Sequence, residues 1–269
     1  MSKSNDTIQK TIIVALALCI VCSIFVAGSA VLLKPVQFSN RMLNMKENIL
    51  RAGGMVGAHP SKKEVEEAFT AVVPRIVDLE TGQFVEPTEA GYSSIDAFDQ
   101  KKVSQNPNTS KVLSSAEDMA GIKRRERFAK VYLVKGEDGI DKIILPVRGY
   151  GLWSTLYGFM ALKGDGNTVI GLGFYEHAET PGLGGEVDNP LWKAKWPGKE
   201  VYDEKGDVAV ALVKGGVLPE SPTARYSVDS LAGASLTSRG VQNLLHYWMG
   251  QEGYKTFLNK LKSGEAGNV

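Results

Sequence analysis

The sequence predicts an α+β protein: a single N-terminal transmembrane helix, then one domain built on a mixed or antiparallel sheet with flanking helices. Three observations predict it. A stretch of 23 residues, Thr11 to Leu33, carries no charge. Five β-like segments then follow one another between Phe128 and Val213 without intervening helical periods, which excludes a doubly wound sheet. Finally, Val241, Leu244, Leu245, Trp248 and Met249 recur at i, i+3, i+4, i+7 and i+8, the spacing of one helix face.

Residues 1–10 form a short tail ahead of the span. The apolar run 11–33 is long enough to cross a hydrocarbon core of about 30 Å as a helix. A cleaved signal peptide is the competing reading, since Lys3 and Lys10 lead it and Gly28-Ser29-Ala30 resembles a cleavage site. The run continues past that point through Val31-Leu32-Leu33, which favours an anchor. Flanking charge alone, with Lys34, Arg41, Lys46 and Arg51 after the span, would place the domain in the cytoplasm. The two cysteines, Cys19 and Cys22, lie inside the span; one such pair is half a ligand set, so they read as apolar filler, and no metal site is expected.

Residues 34–127 begin with a juxtamembrane helix, where Met42, Leu43, Met45, Ile49 and Leu50 fall near helical spacing and stop at Gly53-Gly54. Ser61-Lys62-Lys63-Glu64 reads as a capping box opening a short helix through Ala71, with Pro74 barring continuation. Ile76, Val77 and Leu79 suggest a strand. Thr88 to Pro107 is polar and turn-rich, with at most one short helix at Ser94 to Lys102. The Lys123-to-Arg127 cluster reads as a solvated helix face or strand lead-in. With a net charge of +1 and no basic run interleaved with aromatics, no nucleic-acid partner is expected.

In residues 128–262 the strands are Phe128 to Val134, Lys142 to Val147, Leu156 to Leu162, Val169 to Tyr175 and Val208 to Val213. Glu137-Asp138-Gly139 and Asp165-Gly166 look like hairpin turns. The C-terminal helix is expected to begin near Ser238, with Thr237 and Ser238 as candidate N-caps. Tyr254, Phe257, Leu258 and Leu261 define a last amphipathic helix against the core, and 263–269 is a tail.

The chemistry concentrates in Asp229-Ser230-Leu231-Ala232-Gly233-Ala234-Ser235-Leu236-Thr237. Gly233 and Ala234 let backbone approach a ligand, and Ser235 supplies a hydroxyl at the tip of the turn. A phosphate there would sit beside a helix N-terminus, where unpaired N–H groups and the dipole stabilise an anion by roughly 0.3–1 kcal/mol. Gly149-Tyr150-Gly151-Leu152-Trp153 and Glu179-Thr180-Pro181-Gly182-Leu183-Gly184 sit at strand ends and look like loops around a flat ligand, with Leu152, Trp153 and Leu183 as apolar surface. His177 reads equally as a proton donor or as a histidine satisfied by loop backbone, and Lys214 as a solvent-exposed lysine or a charge near a ligand. The Gly-x-Gly pairs lack a third glycine, so no dinucleotide site is visible. A nucleophile elbow fails too, because Thr237 stands where glycine belongs.

These segments resemble the flavinylation motif Asp-x-x-(Ser/Thr)-Gly-Ala-(Thr/Ser)-x-Thr and the Gly-x-Gly-Leu-Trp and Glu-Thr-Pro-Gly-Leu-Gly elements of one family: the covalent-FMN-binding C-type subunit of the sodium-translocating NADH:quinone oxidoreductase, related to the G-type subunit of the Rnf complex. The resemblance runs from the span to Met249, with Ala232 in place of the usual Ser or Thr and Ser235 in place of the commoner Thr. It implies that 128–262 is an FMN-binding region and that Ser235 carries covalent FMN through a phosphodiester made by a flavin transferase, a phosphoprotein linkage. Thr180, Gly182, Leu183, Glu179, Gly151, Leu152, Trp153, Asp229, Gly233, Ala234, Leu236 and Thr237 are the implied cofactor contacts. No residue is implied to be catalytic. The resemblance further implies an electron-carrying translocase subunit in the bacterial inner membrane with its large domain periplasmic. NADH would bind another subunit, with ubiquinone as the acceptor of the complex and other membrane, flavin and iron–sulfur subunits as partners. The G-type Rnf subunit and a non-redox anchored binding domain are the alternatives; the long segment from Gly53 to Arg127 favours the quinone-reductase subunit.

Overall fold

A computed structural model describes residues 7–137 and 139–267. The chain divides into two compact units, Met1–Asn44 and Met45–Val269. Lys3, part of the basic front, lies outside the described residues, as does Asp138 of the first expected hairpin turn.

One helix, α1 (Ile8–Ala52), runs through the apolar stretch and does not stop after Leu33. Its 45 residues reach about 68 Å at about 1.5 Å each. Pro35 lies inside it and costs one backbone hydrogen bond, to the Val31 carbonyl, without ending it. The most apolar window has a mean hydropathy of 2.8 and none of it is buried, so the helix has the length and composition of a membrane span. It ends where Gly53-Gly54 were expected to end it. Gly54 takes φ +62°, and the Met55 N–H bonds back to the Leu50 carbonyl at 2.9 Å.

The second unit is organised by one antiparallel sheet. Helix α2 (Lys62–Phe69) opens on the Ser61 capping box and stops two residues short of Ala71. Strands β1 (Val72–Asp78) and β2 (Gln83–Val85) form a hairpin. After α3 (Gln100–Gln105), β3 (Ser110–Val112) pairs with β4 (Arg124–Glu126). The central strands are β5 (Phe128–Gly136), β6 (Gly139–Tyr150), β7 (Thr155–Lys163) and β8 (Val169–Glu176), giving the order β2-β1-β5-β6-β7-β8. Then come α4 (Pro190–Lys193), a parallel pair β9 (Ala211–Val213) and β10 (Ser227–Asp229), and finally α5 (Ser235–Met249) and α6 (Lys255–Ser263).

Several boundaries differ from the sequence reading for local reasons. The short helix lies at Gln100–Gln105, not Ser94–Lys102, because the Asp99 carboxylate caps it by accepting from the Lys101 and Lys102 N–H groups. The strand expected from Val208 begins at Ala211, since Ala209 and Val210 donate instead to the Val201 carbonyl. The Lys123-to-Arg127 cluster is not solvated throughout: Arg125 and Glu126 are buried, Glu126 in an ion pair with Arg148. Most consequential, α5 starts at Ser235, three residues earlier than expected, and neither Thr237 nor Ser238 caps it.

The core lies between one sheet face and the C-terminal helices. Alternate residues Ala129, Val131 and Leu133 on β5 and Ile143, Leu145 and Val147 on β6 point to that side. Val241, Leu244, Leu245, Trp248, Phe257 and Leu258 meet them. Gly149 lets α5 cross the sheet closely, because a Cβ there would collide with Leu244 Cβ. On the opposite face, the excursion through Phe98 and Val103 covers Ile76 and Ala90.

Candidate functional site

Three segments far apart in sequence meet at the start of α5: the loop after β6, the loop after β8, and the Gly233–Ser235 turn. Their common centre is Glu179, which is only 5% exposed. Its Oε1 accepts from the N–H groups of Leu152 and Trp153 at 3.0 Å each and of Ser154 at 3.3 Å. Its Oε2 accepts from the Thr237 hydroxyl at 2.7 Å. Burial would raise the pKa of this carboxyl, but the Thr237 hydroxyl and the three backbone donors outweigh it and hold the group below the ordinary value of 4.5. The carboxylate is a structural anion with its acceptors already engaged.

Glycines make that convergence possible. A Cβ on Gly151 would stand 2.5 Å from Glu179 Oε1, and one on Gly184 would stand 2.6 Å from both Glu179 Oε2 and Thr237 Oγ1. On α5 itself, a Cβ on Gly240 would come within 2.9 Å of Gly151 Cα and closer still to the Tyr150 carbonyl oxygen. Gly182 and Gly233 serve differently, adopting φ +76° and +71°, left-handed values that other residues rarely take.

The first turn of α5 is open. Its N-cap, Ala234, has no side-chain acceptor, so the N–H groups of Ser235, Leu236 and Thr237 are left without the partner a capping residue supplies. The Thr237 hydroxyl is committed to Glu179. That of Ser238 donates to the Ala234 carbonyl and accepts from the Leu231 N–H, both at 3.0 Å. Ser235, by contrast, is exposed, and among the described residues nothing hydrogen-bonds its Oγ. Exposed apolar side chains lie on the converging segments: Leu183, whose Cδ2 lies 3.1 Å from where a Gly233 Cβ would be, Leu152 and Trp153 (66% exposed) after β6, and Leu236 (55%) on α5. Thr180 is exposed, and its carbonyl closes the loop by accepting from Leu183 and Gly185.

This arrangement fits a flavin mononucleotide: a free hydroxyl and open N–H groups for a phosphate, and apolar surface for a ring. Other expected residues are placed elsewhere. The Asp229 carboxylate accepts from the Val217 N–H at 2.7 Å and pairs with Lys195, whose hydrogen bond is the chief reason its pKa is lowered. Asp229 therefore ties the end of β10 to Lys195 and Val217. His177 bonds Asp188 through Nε2 at 2.7 Å and accepts the Glu179 N–H through Nδ1 at 3.2 Å, so it is satisfied within its loop. Lys214 is exposed beyond β9. Sequence reasoning missed Ser154, whose Oγ accepts from the Ala178 N–H at 2.7 Å, and Gly240; a glycine inside a helical period was the available signal for the latter.

The FMN-binding domain family matches residues 151–250, the span that holds Gly151, Glu179, Ser235 and Gly240. The C-type subunit of the Na(+)-translocating NADH-quinone reductase of Pseudomonas aeruginosa is 52% identical over 98% of this chain and 99% of its own length. Its counterpart from Yersinia pestis is 42% identical over 99% of this chain and 97% of its own. Among solved structures, Shewanella oneidensis NqrC superposes with a TM-score of 0.72 at 36% identity, covering 81% of this chain and 96% of that one.

Proposed function

The chain belongs to the NqrC family, the C-type subunits of the Na(+)-translocating NADH-quinone reductases, and we propose that within such a complex it is a tethered electron carrier whose FMN is esterified to Ser235. Membership makes it a subunit of an oxidoreductase complex with an FMN-binding domain. It also favours this family over the G-type Rnf subunit, since relatives 42–52% identical over at least 98% of the chain are quinone-reductase subunits.

The observation that carries the attachment reading is the contrast between the two hydroxyls in the open turn. Ser235 Oγ is exposed and unengaged, whereas Thr237, the next candidate, is fully buried and donates to Glu179. In ester formation the Ser235 Oγ–H bond breaks and an Oγ–P bond forms. A flavin transferase presents a flavin dinucleotide whose pyrophosphate P–O bond breaks, the nucleoside monophosphate leaving with that bond's electrons while the Oγ proton passes to water. The N–H groups of Ser235, Leu236 and Thr237 then face the phosphate, while Leu152, Trp153, Leu183 and Leu236 offer surface to the ring and Thr180, Gly182, Gly151, Gly233 and Ala234 shape the loops beside it. Once bound, FMN supplies the electron transfer; the protein supplies attachment, shielding and electrostatic tuning.

By this reading α1 anchors the chain in the bacterial inner membrane and the second unit lies on the periplasmic side, passing electrons between flavin and iron–sulfur subunits. Reporter fusions after Val269 test the side. The attachment is tested by Ser235→Ala made in cells containing the transferase, which should yield folded protein whose denatured gel band does not fluoresce under ultraviolet light. A fluorescent Ser235→Ala band would refute it, and a wild-type band without fluorescence would refute covalent attachment and leave FMN held non-covalently.

A further inference from the structure

Glu179 differs from the other residues around Ser235 in that its charge is spent wholly on protein donors. Those donors belong to separate elements: three backbone N–H groups of the loop after β6, and a side-chain hydroxyl in the first turn of α5. Gly151 and Gly184 close against the two carboxylate oxygens so tightly that not even a methyl group fits there. A ligand atom has no room at this carboxylate, so Glu179 faces the frame of the site and not its contents. The same contacts explain how an uncapped helix end keeps its place. In most helices a side chain at the N-cap closes the first turn on itself. Here Thr237 reaches away from the helix to Glu179, and the first-turn N–H groups stay open.

We propose that Glu179, acting through Thr237, is a positioning residue for flavin binding: it fixes the open first turn of α5 against the Leu152–Ser154 loop, so that phosphate-facing N–H groups and ring-facing side chains are held at one spacing. This rests on the reading that FMN binds at Ser235. A carboxylate suits the task because it is acceptor-only, with about four lone-pair sites, and its charge strengthens each hydrogen bond. A glutamine would have to turn an NH₂ group toward donors on one of the two sides. Clamping both elements before the ligand arrives removes the ordering cost from the binding step.

Two measurements on the full-length protein test this. In a Ser235→Ala background, where only non-covalent binding is possible, free FMN is titrated by quenching of its fluorescence. Adding Thr237→Val, which keeps shape and loses the hydroxyl, or Glu179→Gln should raise the dissociation constant at least tenfold; adding Thr237→Ser should leave it within about twofold, the hydrogen bond being retained. With Ser235 intact and the transferase co-expressed, the fraction of chains bearing ester-linked FMN after a short induction should fall at least fivefold for Thr237→Val, return with Thr237→Ser, and approach the wild-type level on long induction. Loading carries the test even where free FMN binds too weakly to titrate. A Thr237→Val protein that binds and loads like the parent, or a serine that fails to restore a loss, overturns the proposal. If the parent carries no ester-linked FMN, the attachment reading fails, and the titration alone still decides the positioning role.

Discussion

Replacing Gly240 by alanine probes the closest approach in the site. The added Cβ would lie 2.9 Å from Gly151 Cα and nearer to the Tyr150 carbonyl oxygen. Carbon atoms sit comfortably at about 3.5–4.0 Å, so a gap of at least about 0.6 Å must open. Both obstacles are backbone atoms at the end of β6, which cannot swing aside as a side chain can. Overpacking of this kind costs about 1–3 kcal/mol, and backbone obstacles place it in the upper part of that range. Alanine regains about 1 kcal/mol over glycine as a helix former, leaving a net loss of about 1–2 kcal/mol. At about 2–4 °C per kcal/mol for a domain of this size, Tm should drop by about 2–8 °C in circular-dichroism melts. The displaced turn also carries Thr237, so ester loading should fall with it. Gly173→Ala is the control: a Cβ there meets nothing within 4 Å, and alanine in a strand should be neutral or slightly stabilising. Gly240→Ala melting at or above the parent temperature would refute the close approach and the packing drawn from it.

Glu179→Gln should lose stability in a pH-dependent way. The folded pKa of Glu179 is depressed, so its contribution is fully present above the ordinary value of 4.5 and is lost as pH falls through the lowered folded value. Urea unfolding from pH 7 to pH 3 should show the gap between parent and variant closing on the acid side; a constant gap contradicts this. Glu126→Ala should cost about 3–5 kcal/mol by leaving Arg148 buried without its partner, and a second change, Arg148→Met, should recover much of it; urea titrations of the pair decide. Expression without a flavin transferase should give folded protein whose denatured gel band does not fluoresce, and a fluorescent band from such a preparation would speak against an ester made by a transferase.

Much of this architecture was legible because periodicity reports burial. The alternation along Phe128–Val134 and Lys142–Val147 and the 3.6-residue recurrence from Val241 to Met249 each reappear as faces of one core. Gly53-Gly54 ended α1, and Ser61 capped α2, because backbone geometry and local hydrogen bonds decide those points. What could not be read depends on distant partners. The start of α5 hinged on Thr237 finding Glu179, 58 residues away, in place of its own helix end. The polarity of Arg125 and Glu126 suggested solvent, yet inside the fold Arg125 donates to the Glu252 carbonyl and Glu126 pairs with Arg148. The candidate site residues also divide by burial, which the sequence does not show. Leu183 and Ser235 are exposed, whereas Glu179 and Thr237 are buried and bonded to each other.

Mass spectrometry of the peptide spanning Tyr226 to Arg239, cut from protein extracted from its own membrane, tests the central claim most directly. The peptide should carry the added mass of FMN less water, with fragment ions placing it on Ser235. The same peptide at its unmodified mass, or fragments placing the flavin on Thr237, would contradict the account.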